Sequence, residues 1–258
     1  MILLVDAGNS RLKWGLHARG RFEAGAPMVY DGTGLEASLE HALGGIEPPA
    51  RTLLCSVAPP TMQRRLTRWL RNRWHQPVAY VVPGRRGGGV RNAYPEPETL
   101  GADRWAALIG ARVLDRGATC IVDAGTAVTI DFLAPGGDHG GGLIVPGVEL
   151  ARTSLNQRTG RIGMTVDGRD DSPGLEMARN TRDAVRTGTR YQLVAFLDRV
   201  MRDLATTCGG EVHGVLTGGD AGSLLPLLQA PFEHRPHLVL EGLAELARCR
   251  CNQQQVVD

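Results

Sequence analysis

Two aspartates stand at the start of the same short motif. The segment Val-Asp-Ala-Gly occurs at residues 5–8 and again at residues 122–125, each time after a short apolar run and before a small polar residue. A turn of this composition exposes backbone N–H groups and small side chains that suit phosphate oxygens, and a carboxylate at its base can hold a cation that neutralises them. One copy alone is explained as well by an ordinary hairpin turn with a side-chain cap, but the repetition favours phosphate binding.

The elements that must position these turns alternate between strand and helix patterns. Short apolar runs predict strands at 2–5, 12–16, 52–57, 78–82, 119–122, 127–133 and 212–216. Apolar residues at helical spacing predict helices at about 62–70, 101–114, 193–204 and 222–228, the third ending near Gly209 and Gly210. The pattern is that of an α/β protein in which each aspartate turn joins two strands.

The repeated strand, turn and strand indicate a duplicated domain. The first copy reads VDAGNSRLKWGL and the second reads VDAGTAVTIDFL, and a boundary between them is expected near Arg116 and Gly117. We therefore predict an N-terminal domain over residues 1–117 and a C-terminal domain over residues 118–258. Two phosphate turns that face each other across a cleft would hold a polyphosphate from both sides.

A glycine-rich segment is the third feature that indicates nucleotide binding. Leu216–Ala221 (LTGGDA) runs from a predicted strand into glycines and then a helix, which suits the close approach of a flat ring or a ribose to bare backbone. The chain contains no G-x-x-x-x-G-K-[ST] phosphate loop, and residues 84–89 and 136–142 lack the strand-to-helix setting of a dinucleotide-binding turn. We predict that these last two stretches are mobile loops.

Composition excludes several classes of partner. The 29 basic and 27 acidic residues give a net charge of +2, so no global field attracts nucleic acid or an anionic membrane. The arginines of the predicted helix at 62–70 are more simply a solvated face than a nucleic-acid site. We expect no signal peptide, no membrane span and no zinc site, and we expect the five cysteines to be buried free thiols in a soluble, cytoplasmic protein.

Further motifs accompany the two aspartate turns in a fixed order. They are Asp6–Lys13 (DAGNSRLK), Gly101–Arg104 (GADR), Asp123–Thr126 (DAGT), Gly141–Gly147 (GGLIVPG) and Asn180-Thr181 followed by Gly188. The two turns and the later glycine segment resemble the superfamily of actin, sugar kinases, acetate kinase and heat-shock ATPases, which is built from duplicated ribonuclease-H-like domains with a nucleotide cleft between them. Within this superfamily the combination is most similar to type III pantothenate kinase.

The resemblance implies ATP-dependent phosphorylation of pantothenate to 4'-phosphopantothenate, the first step of coenzyme A biosynthesis. It implies that Asp103 accepts the hydroxyl proton, and a place at a helix start beside Arg104 would keep this carboxylate ionised. The structural alternative for the same motif is a helix cap with a surface ion pair, and both roles can coexist. The implied substrate-binding residues are Tyr94, Gly101, Ala102, Asp103, Arg104 and Thr181.

The resemblance also implies how ATP and cations are held. The implied ATP-binding residues are Asp6, Ala7, Gly8, Asn9, Ser10, Arg11, Leu12, Lys13 and Thr126. Asp6 would help to hold Mg²⁺, and Asp123 would bind a monovalent cation, K⁺ or NH₄⁺. Lys13 is the only lysine in the chain. The family resemblance further implies a homodimer in which Thr181 acts across the subunit interface.

Two other functional classes stay open. One is a phosphohydrolase or nucleotide-dependent chaperone on the same fold, although the chain has little room for a large peptide-binding domain. The other is a non-catalytic accessory or regulatory protein. The GADR motif argues against the first class, and intact Asp6, Asp103 and Asp123 favour catalysis over the second. A joint requirement for pantothenate and potassium would distinguish the kinase. The segment 248–258, with Cys249 and Cys251, is expected to be a frayed terminus rather than a metal site.

Overall fold

The structure is a computed structural model that describes residues 1–29, 34–114, 117–158, 177–249 and 253–255. Its helices are α1 Leu35–Leu43, α2 Pro60–Trp74, α3 Ala102–Leu114, α4 Val148–Arg158, α5 Thr181–Cys208, α6 Ala221–Leu224 and α7 Leu238–Cys249, with 3-10 turns at Pro97–Thr99 and Leu225–Leu227. Its strands are β1 Ile2–Ala7, β2 Arg11–Ala18, β3 Arg21–Ala24, β4 Met28–Val29, β5 Arg51–Ser56, β6 Val78–Val81, β7 Arg86–Gly87, β8 Val90–Arg91, β9 Thr119–Ala124, β10 Ala127–Leu133, β11 His139–Pro146, β12 His213–Thr217, β13 Phe232–His234 and β14 Gln253–Gln255.

The chain forms two compact units, each made of more than one stretch of sequence. The first comprises Met1–Arg116, Leu133–Gly141 and His237–Asp258, and the second comprises Gly117–Phe132 and Gly142–Pro236. The C-terminal helix α7 therefore groups with the first unit, whereas the sequence analysis places it in a domain over 118–258. The predicted ribonuclease-H-like domain limits stay a prediction, and Arg116 at their boundary lies outside the described residues.

The two main sheets repeat one strand order. The first is β14-β6-β5-β1-β2-β3 with β4 beside β2, and the second is β11-β10-β9-β12-β13. In the first sheet β1 runs antiparallel to β2 and parallel to β5, and in the second β9 runs parallel to β12. When the five shared strands are numbered along the chain, both sheets have the order 3-2-1-4-5. The sequence repeat thus corresponds to a repeat of topology.

Each unit has a core that follows from the apolar pattern of its strands and helices. In the first unit Leu3 and Val5 of β1 pack in one cluster with Leu39 of α1 and Leu66 of α2. Alternation along the strand directs the next residues to the opposite face of the sheet, where α3 and α7 pack on each other. In the second unit the long helix α5 joins the cluster that contains β9 and β12.

Several predicted elements are confirmed and others are corrected. The strands that flank both aspartate turns, the helices α2 and α3, and the end of α5 at Gly209 agree with prediction; Gly209 has φ +66°, and its N–H caps the helix. The predicted helix at 222–228 is confirmed only in part: α6 ends at Leu224, and the chain continues as a 3-10 turn that contains Pro226. The supposed loop at 136–142 leads into strand β11, and residues 84–89 contribute to the hairpin of β7 and β8.

The cysteines and the C terminus also differ in part from expectation. Cys55 and Cys120 are buried free thiols as predicted, but Cys208 is exposed and Cys249 is disulfide-bonded. Residues 253–255 pair with β6, so this part of the expected frayed terminus belongs to the sheet. Cys251 lies outside the described residues. Within the described ranges, every helix is too short or too polar to cross a bilayer.

Candidate active site

The first aspartate turn is the tight connection between β1 and β2. Asp6 is opposite Lys13 in the antiparallel register, and Ala7 is opposite Leu12. The Gly8 N–H donates to the carbonyl oxygen of Arg11 at 3.0 Å, which closes the turn. Directly opposed residues of an antiparallel pair share a face of the sheet, so the carboxylate and the ammonium lie on the same side of the hairpin.

Burial differs sharply along this turn. Asp6 is buried with 8% of its surface exposed, and Leu12 is buried as the anchor of the second strand. Lys13 is half-buried, whereas Asn9, Ser10 and Arg11 are exposed. The turn therefore presents polar groups at its tip above a carboxylate fixed in the sheet.

The neighbouring strand β5 fixes where this hairpin ends. Ala7 aligns with Ser56 in the parallel register, and the Val57 N–H donates to the Ala7 carbonyl oxygen at 3.1 Å. The last backbone acceptor of β1 is thus satisfied by the sheet, and the chain is free to reverse at Gly8.

The second aspartate turn connects β9 and β10 in the same manner. The Gly125 N–H donates to the Ala127 carbonyl oxygen at 3.2 Å. Asp123, the penultimate residue of β9, is half-buried, and Thr126 is exposed at the tip of the turn. In both turns the glycine N–H makes the closing hydrogen bond, but the second turn is one residue shorter, because Gly8 pairs with Arg11 in the first.

Two distant glycines support the second turn by close backbone contact. A Cβ on Gly147 would lie 2.2 Å from the Gly125 carbonyl oxygen, and the Gly147 N–H donates to the Thr126 carbonyl oxygen at 3.0 Å. Gly218 has φ +99°, and a Cβ there would lie 2.3 Å from the Ala124 carbonyl oxygen. Sequence analysis assigned the segment of Gly218 to ring or ribose contact and missed this packing role.

Asp103 lies in the first turn of α3, as predicted. Its Oδ1 accepts a hydrogen bond from the Arg104 N–H at 2.7 Å, and the Trp105 N–H donates to the Gly101 carbonyl oxygen at 2.9 Å. A Cβ on Gly101 would lie 2.5 Å from Oδ1 of Asp103, so glycine at this position leaves room for the carboxylate. Asp103 is half-buried. The cap role that was the structural alternative for this motif is therefore present.

Arg104 and Tyr94 lie together in the first unit. The buried Arg104 donates from Nη1 to the Tyr94 hydroxyl oxygen at 3.0 Å, and its guanidinium carbon lies 5.7 Å from the centre of the Tyr94 ring. His139, of which only 4% is exposed, stacks on Tyr94 with ring centres 6.0 Å apart and planes 16° from parallel. The sequence analysis missed His139 because it stands in a glycine-rich stretch that was assigned to a loop.

The loop that carries Tyr94 is held by its own polar groups. Asn92 Oδ1 accepts from the Tyr94 N–H at 3.0 Å, and Asn92 Nδ2 donates to the Pro97 carbonyl oxygen at 3.2 Å. The Ala93 N–H donates to His139 Nδ1 at 3.5 Å. These contacts fix the backbone on both sides of the tyrosine.

Thr181 is the first residue of α5, in the second unit. Asn180 caps this helix by accepting the Asp183 N–H at 2.9 Å on its side-chain oxygen, and Thr181 itself is exposed. Of the predicted site residues, Asp123, Thr126 and Thr181 belong to the second unit, and all the others belong to the first.

Solved structures with the same fold cover almost the whole chain. A Campylobacter jejuni protein assigned to the Baf family of transcriptional activators matches with a TM-score of 0.58 at 18% identity, covering 97% of this chain and 99% of that one. A Sinorhizobium meliloti protein assigned as a 2-dehydro-3-deoxygalactonokinase matches with a TM-score of 0.56 at 14% identity, with the same coverage. These likenesses show that this chain shares its fold with both proteins, and they confirm the predicted α/β fold class.

Sequence comparison identifies the family. The type III pantothenate kinase of Nitrosococcus oceani is 40% identical over 258 residues, covering 96% of this chain and 94% of that protein. The type III pantothenate kinase of Halorhodospira halophila is 38% identical, covering 96% of this chain and 98% of that protein. A family model for type III pantothenate kinase matches residues 2–203. The chain therefore belongs to the type III pantothenate kinase family.

Proposed function

We propose that this protein is a transferase that phosphorylates pantothenate with ATP, giving 4'-phosphopantothenate and ADP in the first step of coenzyme A biosynthesis. The observation that carries the proposal is the family match over nearly the full chain. The arrangement of Asp103, Arg104 and Tyr94 around the start of α3 supports it.

Asp103 is the proposed catalytic residue. The attacking hydroxyl group of pantothenate must lose a proton as its oxygen bonds to the γ-phosphorus, and a positioned carboxylate accepts that proton while ADP leaves. Gly101 leaves space beside Oδ1, and the first turn of α3 favours a negative charge. The hydrogen bond from the Arg104 N–H to Oδ1 orients the carboxylate.

Arg104, Tyr94 and Thr181 are the proposed contacts to pantothenate, together with the backbone of Gly101 and Ala102. A guanidinium group and two hydroxyl groups suit a ligand that carries a carboxylate, an amide and hydroxyl groups. Because Arg104 is buried against Tyr94, its orientation is fixed before substrate arrives, which lowers the entropic cost of binding.

ATP is proposed to bind to the two aspartate turns. Asn9, Ser10 and Lys13 of the first turn and Thr126 of the second offer an amide, hydroxyl groups and an ammonium to phosphate oxygens. Asn9, Ser10 and Thr126 are exposed at the tips, and Lys13 is half-buried. Gly8 contributes no side chain that would obstruct a phosphate. The ammonium of Lys13 adds a compact positive charge to the neutralisation that phosphoryl transfer requires.

Mg²⁺ fits the first turn as a companion of ATP. Within the described ranges there is no cluster of three or more histidine, cysteine, aspartate or glutamate residues that would form an all-protein metal site. Mg²⁺ with a nucleotide commonly uses one or two carboxylates, phosphate oxygens and water, so the carboxylate of Asp6 suffices. When bound, the ion would offset charge on the transferring phosphate.

A monovalent cation, K⁺ or NH₄⁺, is proposed at Asp123. Asp123 is aligned with Thr217 in the parallel pair of β9 and β12, so both side chains lie on one face of the sheet. Thr217 is fully buried, and among the described residues its Oγ1 has no hydrogen-bond partner. An oxygen atom left without a partner beside a carboxylate suits a cation with oxygen ligands.

A homodimer is proposed for the assembled enzyme. The second unit exposes several large apolar side chains on β11, α4 and α5, namely Leu143, Ile144, Leu150, Leu155 and Tyr191. The helices α4 and α5 pack on each other, and exposed apolar side chains on such elements are typical of a surface that another protein covers. The proposed cytoplasmic location stays a prediction.

The test is ADP release by the purified protein with Mg-ATP, with and without pantothenate and with and without K⁺. Release should require pantothenate and should be stimulated by K⁺. Asp103→Asn keeps the shape but removes the base, so kcat should fall by about 10²- to 10⁴-fold. Asp203→Asn, at an exposed aspartate in α5, is the matched control and should retain full activity.

Two outcomes would contradict the proposal. ADP release without pantothenate would indicate a phosphohydrolase. Nucleotide binding without turnover under any of the four conditions would indicate an accessory or regulatory protein. Thermal unfolding of both variants would show whether a loss of activity reflects a loss of folding.

A further inference from the structure

The helix α2 carries five arginines, and the structure divides them into two groups. Arg65 pairs with Glu36, with Nη2 and Oε2 2.6 Å apart, and Arg73 donates to the Gly44 carbonyl oxygen at 2.5 Å. These two therefore join α2 to α1. Arg64, Arg68 and Arg71 lie on another face at spacings of four and three residues, and all three line one cavity.

This arginine cavity belongs entirely to the first unit and has a volume of about 1250 Å³. Its walls include Ser56 and Val57 at the end of β5, Tyr80–Pro83 at the end of β6, and Leu100–Ala102 before and at the start of α3. The cavity is therefore bounded by the carboxyl ends of two parallel strands. In α/β sheets this is the end at which ligands bind.

The charges of the arginine cavity are unbalanced. Among the described residues that line it, three are arginines and one, Glu98, is acidic. The C-terminal end of a helix favours positive charge, which accounts for Arg71 but not for Arg64, one turn from the start of α2. Three guanidinium groups around one concave surface favour a ligand with negative charge.

The chemistry of the walls narrows the class of ligand. Guanidinium groups bind phosphate and carboxylate oxygens through paired hydrogen bonds. Val57, Pro60 and Val82 give the same cavity an apolar wall that suits an organic body. We propose that the arginine cavity is a binding site for a small organic phosphomonoester, separate from the proposed ATP and pantothenate contacts except where its wall reaches the backbone of Gly101 and Ala102.

The wall that the arginine cavity shares with the proposed active site connects a bound ligand with the proposed base. Gly101 and Ala102 immediately precede Asp103, and Gly101 sets the space around its carboxylate. A ligand in the arginine cavity touches the segment that positions the proposed base. A nucleic-acid strand is the less suitable occupant, because the cavity is concave and the whole chain has a net charge of only +2.

The test uses phenyl phosphate as the probe and isothermal titration calorimetry as the measurement. The full-length protein is first saturated with ADP and Mg²⁺, so that the aspartate turns are occupied. Phenyl phosphate should bind at one site per chain and more tightly than inorganic phosphate, because only the former has an apolar body. The double variant Arg64→Gln/Arg68→Gln should weaken binding by at least about tenfold.

The matched control is Arg21→Gln/Arg202→Gln, which removes the same charge from exposed positions outside the cavity. Its affinity for phenyl phosphate should stay within about twofold of the unmodified protein. Absence of binding to the ADP-saturated protein, or equal losses in both double variants, would overturn the proposal. Binding of a single-stranded oligonucleotide that is tighter than that of phenyl phosphate, and that is lost in the first variant, would overturn it in favour of a nucleic-acid site. Because none of these measurements depends on turnover, the result is independent of the proposed kinase activity.

Discussion

Arg104 and Tyr94 form a pair in which each side chain orders the other. The guanidinium group lies over the ring and donates to the hydroxyl oxygen, while His139 stacks on the ring. A buried guanidinium group that loses one acceptor keeps its desolvation cost without that hydrogen bond. The tyrosine hydroxyl group is therefore expected to matter for the orientation of Arg104 as well as for direct contact with substrate.

Tyr94→Phe should raise KM for pantothenate by about 10- to 100-fold, since a hydrogen bond to a charged group contributes about 1.5–3 kcal/mol. The aromatic ring and its stack with His139 are retained, so unfolding should change little. Steady-state kinetics at varied pantothenate would measure the effect. A fall in kcat with KM unchanged would show that the hydroxyl group acts in the chemical step instead.

The burial of Cys120 makes the free energy of unfolding depend on pH. Burial raises the pKa of its thiol to about 12, and the nearby carboxylate of Asp131 adds to the shift. The ordinary value in an unfolded chain is 9.0. Between these values the folded state keeps a proton that the unfolded state loses, so this group's contribution to stability is present below pH 9 and declines as the pH rises toward 12.

Cys120→Ala should therefore flatten the dependence of the free energy of unfolding on pH above 9. The expected difference in slope between the two proteins approaches about 1.4 kcal/mol per pH unit, the value for one proton. Urea unfolding at pH 8, 9 and 10 would measure it. Parallel curves for the two proteins would mean that Cys120 ionises as easily in the folded state as in the unfolded state.

At the scale of elements, the helices α3 and α7 cross at two glycines. A Cβ on Gly242 would lie 1.8 Å from the Ala106 carbonyl oxygen, and a Cβ on Gly110 would lie 2.5 Å from the Leu238 carbonyl oxygen. The backbones thus touch without intervening side chains. Because α3 carries Asp103 at its start, this crossing also fixes the proposed base.

Gly242→Ala should destabilise the protein by about 1–3 kcal/mol, the usual cost of an overpacked contact, because rigid backbone lies in the way. Gly222→Ala in α6 is the matched control, since a Cβ there meets nothing within 4 Å and should be neutral or slightly stabilising. Thermal and urea unfolding would compare the two. Equal stability of both variants would show that the helices separate readily at this crossing.

The sequence predicted those elements whose pattern is local. Both aspartate turns and the helices α2 and α3 follow from apolar spacing and from the repeat. The helix α7 was missed because it begins with the apolar run Leu238–Leu240 and contains Gly242, features that disfavour a helix until its contact with α3 is known. The strand β11 was missed because its three glycines have low strand propensity, and only pairing with the neighbouring strand β10 places them in a sheet.

In the candidate site, too, local features were predictable and contacts between distant residues were not. Asp103 lies at a helix start as expected, since this rests on a motif within a short stretch of chain. The hydrogen bond between Arg104 and Tyr94 was not predicted, and their roles as substrate contacts stay a prediction. The stacking of His139 and the support of the second turn by Gly147 and Gly218 join residues far apart in sequence. Such contacts depend on tertiary packing, which a single sequence does not reveal.

At the scale of the whole molecule, the exposed apolar side chains of the second unit support the proposed homodimer. Ile144 is 61% exposed and Tyr191 is 54% exposed. Fully hydrating such groups in a monomer has an unfavourable free energy, which their burial in an interface would relieve.

Ile144→Asp should convert a dimer into a monomer, because it places an unpaired charge in an apolar interface. Size-exclusion chromatography with light scattering would measure the mass of both proteins. Val29→Asp is the control, since Val29 is 70% exposed in the first unit. A monomeric unmodified protein, or a dimer that tolerates the charge at residue 144, would contradict the proposed interface.

The crossing of α3 and α7 also bears on how the protein is made. During translation α3 leaves the ribosome well before α7, which follows about 120 residues later in the chain. At ordinary rates of synthesis of about 5–20 residues per second, roughly 6–24 s pass before its partner helix exists. For that interval the nascent chain exposes the apolar face of α3 to chaperones and proteases. A messenger RNA that lacks the codons for α7 would therefore yield a chain whose first unit is almost fully synthesised. In that chain α3 has no partner helix to pack on.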